Sequence, residues 1–528
     1  MGGGDMEERQ THSERRSAGL HLELIPIDEA LEKEMAQSRK AAVVDTTPYK
    51  WGEGDLPNNF RHYDQGQDFF VSVSKKAFLD AEHPAAVIDR VVERLELRDV
   101  YAEYSKEGNP PYHPKMMLKI LFYAYYCGIM SCRTIWDQVV HRADFIYLAA
   151  GQVPNFRTIN SFRLRHLDRL PGLFTQIVYL CGTLGLIGFE HLAIDGQKIE
   201  ANASFRRSKN LKQVKKEYDK VKQGLQKLLE KEISEAFPQE KKLQRKERLE
   251  KQLAELASFQ KELEQLDDED ARLNMTDRDA KVMRHKDGTS TPSYTHQSAV
   301  DDAYGVVTAV QTTCGNDGPE DLLPLVDESK KNSGKGHKAV TADCGFCDYP
   351  ILEEVQTERE EEYYLPDRRY EADKKGCTKK GLYVPADFQE LEEGGYRCPA
   401  KREMEYRGIS TINKYQMHHY TGIGCDSCEL KERCTEGKKR HLHINVYEPW
   451  RKKMREKLSS DEGREMYMKR QGTVEPVHGD DQKNKGWIQH HLRGLKKAKG
   501  EFLLIRIATN LGKIIKFRTC EMLAMGAG

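Results

Sequence analysis

Three acidic residues stand where a carboxylate needs a reason. Asp195 closes the apolar run of LAIDG, Asp343 follows the short run of VTADCG, and Glu475 lies among apolar and basic neighbours in YMKRQGTVEPVHG. Carrying a carboxylate into a sheet costs free energy unless it is paired or binds a metal, and sites in open α/β sheets form at strand C-termini. Three such groups at one edge make an oxygen cage suited to Mg²⁺ (or Mn²⁺), which keeps coordination positions for water and phosphate oxygens. Two such ions activate a water or 3′-hydroxyl on one side of a phosphodiester and stabilise the leaving oxygen on the other. Singly, an Asp at a strand end is commonly a turn or cap. Asp317 in GNDGPED is read that way, as a turn or N-cap residue outside the cage.

A second chemistry is written in sulfur. Cys425 and Cys428 form a C-x-x-C pair, Cys434 follows six positions on, and Cys398 precedes them in YRCPAKREM. Four thiolates suffice for one tetrahedral structural Zn²⁺. Free buried thiols are the alternative, and Cys377, His418 and His419 are candidate substitutes. The other C-x-x-C, CGFC at 344–347, has the spacing of a thiol oxidoreductase. That reading needs a helix opening at Cys344 and an activated thiolate, and no thioredoxin-like βαβ pattern accompanies it.

The elements that must position these groups fall into distinct stretches. Residues 1–60 are polar and poorly periodic, an expected loose arm, and 61–188 an expected helical DNA-binding domain. There HPKMMLKILFYAYYCGIM opens on a Pro, and SCRTIWDQVV and VPNFRTINSFRLRHLDRL follow at helix-turn-helix spacing. Arg133, Arg157, Arg163 and Arg165 are the candidate DNA contacts, an ordinary bundle with solvated arginines being the alternative. Strand, long insertion, two strands, helix and strand then predict a mixed sheet with helices on its faces over 189–350 and 438–528.

Two insertions interrupt that order. One, 205–270, is a helical hairpin turned at Pro238. Its apolar seam runs through 211, 214, 218, 221, 225 and 228, then Leu249, Leu253, Leu256 and Leu263, with Gln260 filling a missing slot. The other is the cysteine-rich 375–437, preceded by the charged TEREEEYYLPDRRYEADKK, read as a loop.

The 84 basic and 84 acidic residues cancel, so only local charge informs. From Gln482 to Arg518 ten basic residues face Glu501 alone, a net +9, which suits a phosphate backbone. Trp487, His490 and His491 lie within that segment, where packing is the commoner fate of a lone Trp. The start lacks an apolar h-region and the most apolar stretch, 170–189, carries Pro171, Gln176 and several Gly. A protein without secretory signal or membrane span, in a reducing cytoplasm, is expected.

Taken together, HPKMMLKILFYAYYCGIMSCRTI, AIDGQKIEANAS, VTADCGF, the cysteine insertion, VEPVHG with its downstream Lys, and HLRGLKKAKGEFLLIRIATNLGK resemble the DDE transposases of bacterial insertion sequences. The resemblance implies an InsH-like N-terminal domain and an RNase H-like catalytic domain of α/β class. It implies Asp195, Asp343 and Glu475 as catalytic ligands of two Mg²⁺, and a Tyr, Arg, Glu, Lys signature matched by Tyr467, Arg470, Glu475 and Lys483. Arg493 is a further phosphate-positioning candidate. The sequence departs in having one extra residue both between Arg470 and Glu475 and between Glu475 and Lys483. It also has His478 where the family commonly has Phe, and Cys344-Gly-Phe after the second Asp. The implied activity is Mg²⁺-dependent cleavage at the ends of the element and strand transfer, on double-stranded terminal repeats and target DNA, by a homodimer. The alternative is a DNA-binding descendant with an altered site.

Overall fold

Helices begin where the sequence supplies a cap and a proline. In the structure, a computed structural model that describes residues 79–525 apart from 106, 233–238, 267, 269–270, 369, 371–381, 392–393 and 413, α1 (Pro84–Glu93) and α2 (Pro114–Tyr126) both open on Pro. The missing N–H costs nothing in a first turn, and His83 and His113 accept from the N–H two residues on. The arm read at 1–60, the turn at Pro238 and Cys377 lie outside the described residues. Nearly all of α2 is buried, Lys119 included. Its ammonium lies 2.5 Å from Asp89 Oδ1 and from Glu93 Oε1, the pairing a buried cation requires. Next come α3 (Cys132–His141), α4 (Phe156–Arg165) and α5 (Leu170–Thr183). The apolar stretch at 170–189 is thus a helix and a turn, and no helix of the described residues is long and apolar enough to cross a membrane.

The mixed sheet is built from β1 (His191–Glu200), β2 (Lys281–Arg284), β3 (Ser290–Asp301), β4 (Val307–Thr313), β5 (Ala339–Thr341) and β6 (Glu362–Tyr364). Their order is β2–β3–β1–β5–β6, with β4 also paired to β3. Two readings change here. Asp195 does not end its strand: β3 pairs antiparallel along β1 from Leu192 to Glu200, whereas β5 runs parallel on the other edge only as far as Ala193 opposite Thr341. Asp195 sits where one neighbour has stopped and the other continues. The charged stretch read as a loop contains β6, parallel to β5. Its Tyr363 and Tyr364 are buried, but three residues are too few to register as alternation.

Strand periodicity assigns the faces. Ala193 and Ile199 of β1 join the core of the N-terminal helices with Val474, Val477 and Phe502, while Leu192 and Ile194 pack with Leu322, Leu325, Ile351 and Leu352. The latter belong to α8 (Leu322–Ser333) and α9 (Tyr349–Thr357). Between β1 and β2 stand α6 (Leu211–Glu232) and α7 (Gln239–Glu264), packed through Val214, Leu256, Phe259 and Leu263. Phe259, not Gln260, fills the seam, because three-then-four spacing from Leu256 keeps one apolar stripe. Beyond β6, β7 (Met404–Ile412), β8 (Tyr415–Gly422) and β9 (His441–Asn445) form a separate antiparallel sheet. The chain closes with α10 (Glu448–Ser459), α11 (Asp461–Gly479), a π turn at Asp480–Asn484 and α12 (Leu495–Met525).

Candidate active site

Asp195 and Asp343 meet at the fork in the sheet. Asp343 stands two residues past β5, its Oδ1 accepting from Gly345 N at 2.8 Å. Burial raises the Asp195 pKa and the nearby Asp343 charge adds to it; Arg470, the Gly196 N–H and Lys286 oppose. Helix α11 crosses this face. Its Ser460 caps the start by accepting from Gly463 N at 3.0 Å. From it, Arg470 Nη1 reaches Asp195 Oδ1 at 3.4 Å and His478 Nδ1 stands 3.8 Å from Asp195 Oδ2. Burial, with Arg506, Lys286 and Arg470 nearby, pushes His478 down to about 3, so the ring is neutral.

Asp317, read from sequence as a turn residue apart from the acids, lies against them. Its Oδ1 accepts from Gln297 Nε2 at 3.0 Å. Its carboxyl is pushed up to about 6, first by burial, then by Asp343, Asp195 and Asp321, against the Gln297 bond. Gly196 makes this approach possible, since a Cβ there would overlap the Asp317 carboxylate. A glycine directly after the first acid was the available signal. Lys286, in the turn between β2 and β3, also feeds the field at Asp195; nothing in its local sequence marks it.

The other candidates on α11 are placed differently. Glu475 is exposed. Tyr467 is half-buried, with the Arg470 guanidinium 5.7 Å from its ring centre. Lys483 is exposed on the π turn, whose wider winding takes up an extra residue without ending the helix. Beneath that turn is a buried network the sequence reading missed. Asp481 receives Arg506 Nη1 at 3.1 Å and Gln197 Nε2 at 2.8 Å, tying α11 to α12 and to β1. Arg506 therefore leaves the basic tail for the interior; its place in LLIRIATN was the hint. Lys485, Trp487 and His490 are buried too. Arg493 remains exposed, its Nε donating to Asn202 O at 2.9 Å.

Of the N-terminal arginines, Arg133 and Arg157 are exposed and lie 5.3 and 5.8 Å from the centre of the Phe156 ring. Arg165 is exposed over Tyr104. Arg163 points inward, donating to Tyr125 Oη and to Met130 O at 3.0 Å each.

Cys398, Cys425, Cys428 and Cys434 line one cavity of about 20 Å³, room for one water-sized group. Burial raises the Cys434 pKa; Arg440 opposes, and the other three thiols add to the rise. His418 and His419 are not among the lining residues. Among the described residues no three His, Cys, Asp or Glu side chains are drawn tightly enough round one point to hold an ion, at the acids or at the thiols. The donor chemistry nonetheless fits: the carboxylates of Asp195 and Asp317, both with raised pKa values, crowd beside that of Asp343 at one place, and four sulfurs stand round an ion-sized cavity at the other. Cys347 of CGFC is buried and pushed up to about 12, the opposite of an activated thiolate.

Residues 397–515 match the Transposase DDE domain family, and residues 73–165 match the Transposase domain (DUF772) family. No curated protein and no solved structure matches the chain.

Proposed function

We propose, for a chain that its two domain matches identify as a DDE transposase of insertion-sequence type, that it binds the ends of its own element, cuts there and joins the freed 3′-hydroxyls to target DNA. Its family is one of metal-dependent polynucleotidyl transferases acting on DNA. The observation that carries the finer reading is the approach of Asp195 and Asp343 at the sheet fork, faced by Arg470 from the helix that also bears Glu475. Asp195, Asp343 and Glu475 are the ligands in this reading, within an RNase H-like domain. Bound Mg²⁺ or Mn²⁺ ions would supply the activated attacking oxygen and offset charge on the leaving one.

The chain's own groups do the rest. Arg470 neutralises Asp195 until a substrate phosphate competes for its guanidinium. Tyr467, Lys483 and Arg493 position phosphates further along the strand. Arg133, Arg157 and Arg165 present charge to the duplex from the helical domain, and two protomers pair the two ends. The four cysteines hold a structural Zn²⁺ in this reading.

One observation favours a second reading, a DNA-binding descendant that no longer cuts: Glu475 is exposed. Full-length protein incubated with a labelled element end and Mg²⁺, beside Asp343→Ala, separates the two. Cleavage by the parent and its loss in the variant is expected. Binding without cleavage by the parent selects the second reading, and equal cleavage by both removes Asp343 from the mechanism.

A further inference from the structure

His478 lies one helical turn beyond Glu475, on an adjoining side of α11. It is turned inward. Nε2 is buried with no hydrogen-bond partner, and Nδ1 stands 3.8 Å from Asp195 Oδ2, too far for a hydrogen bond. A buried imidazole ordinarily has its nitrogens satisfied; here Nε2 is left unpaired, and Nδ1 is the nitrogen that faces Asp195 without bonding to it. Two ligands each about 2.0–2.2 Å from one ion stand up to about 4 Å apart, which spans the gap to Asp195. Glu-x-x-His on one helix is a general way to offer a carboxylate and an imidazole from adjacent turns to the same metal centre.

We propose that His478 is a ligand of the divalent ion held at Asp195, placing one imidazole nitrogen beside the carboxylates. The proposal rests on the metal-binding reading above and adds a consequence for selectivity. Carboxylate oxygens alone suit Mg²⁺ and Mn²⁺, while an imidazole shifts preference toward Mn²⁺, Co²⁺ and Ni²⁺. Arg470, on the other oxygen of Asp195, holds that carboxylate in place while the metal is away.

Full-length protein is loaded with Mn²⁺ and its electron spin echo examined for nitrogen modulation, beside His478→Phe, His478→Asn and Asp195→Ala. The difference between parent and variant isolates this ring from other histidines. The expected result is modulation in the parent that both His478 variants lose, with Mn²⁺ bound about tenfold more weakly. Circular dichroism identifies a variant that fails to fold, and His478→Asn, the smaller change, then carries the comparison. Modulation and affinity unchanged in a folded His478 variant overturn the proposal while leaving the carboxylate site intact. Equal Mn²⁺ binding by the parent and Asp195→Ala overturns the metal-binding reading itself.

Discussion

The carboxylate site and the cysteine cavity are built in opposite ways. The first gathers side chains from Asp195, Asp317, Asp343, Arg470 and His478, which span most of the described chain and are held by a six-stranded sheet between two cores. The second takes its four sulfurs from residues 398–434, over a small core of Phe388, Tyr396, Met404, Leu442 and Ile444. A sheet with helices on both faces fixes its site whether or not a ligand is present. A five-residue core is a weaker brace, so in the zinc reading the cysteine region draws its rigidity from the ion. One site is positioned by the fold; the other, in the zinc reading, positions its own surroundings.

The sharpest way to break that contrast is at Arg506, far in sequence from every acid of the site. Arg506→Met leaves Asp481 buried with only Gln197 and Lys485 to satisfy it. Removing one partner of a buried ion pair costs about 3 kcal/mol. Urea unfolding should show that loss, and cleavage should fall with it because the π turn bearing Lys483 is freed from α12. A change below about 0.5 kcal/mol, the size of an ordinary surface substitution, would mean that the sheet site does not depend on its distant supports.

How much of this was legible in sequence follows from the same contrast. The cysteines announce themselves because their spacing is local, and the structure brings all four to one cavity. Asp195 and Asp343 were legible as acids after short apolar runs. Asp317 was not, because its approach depends on the absence of a Cβ at Gly196, a fact about packing and not about its own neighbours. Arg163 and Arg506 counted as surface charge because composition cannot tell a solvated arginine from one that donates to Tyr125 and Met130, or to Asp481, inside a core. β6 escaped because a three-residue parallel edge strand has too little pattern to show.

The intermediate effect tests the cysteine half. Chelation, or Cys428→Ser, should leave the main urea transition of the chain within about 0.5 kcal/mol, since the two sites share no core. Limited proteolysis should then cut within 396–447 first. Loss of the main transition on chelation would show that the small region braces the sheet; no change in the cutting pattern would show that the cavity needs no ligand.

The smallest effect lies in pH. Burial, aided by Lys115, pushes His113 down to about 4, against an ordinary value of 6.5. Between those values the unfolded chain holds the proton and the folded chain does not, so stability rises with pH across that window. It is complete above about 6.5 and is lost as pH falls toward 4. His113 is partly exposed, so its share is about 1–2 kcal/mol and not the full value of the shift. Asn is also a good N-cap, and His113→Asn preserves the bond from Lys115 N that starts α2. Stability measured in urea from pH 4 to 7 should therefore match the parent near pH 7 and fall less as pH drops, leaving the variant the more stable of the two at the acid end. The cysteine region has a comparable imidazole in His443, lowered in the same direction but lightly buried, and His443→Asn should leave the slope nearly as it was. Equal slopes for parent and His113→Asn would mean that acid lability does not arise in the helical core.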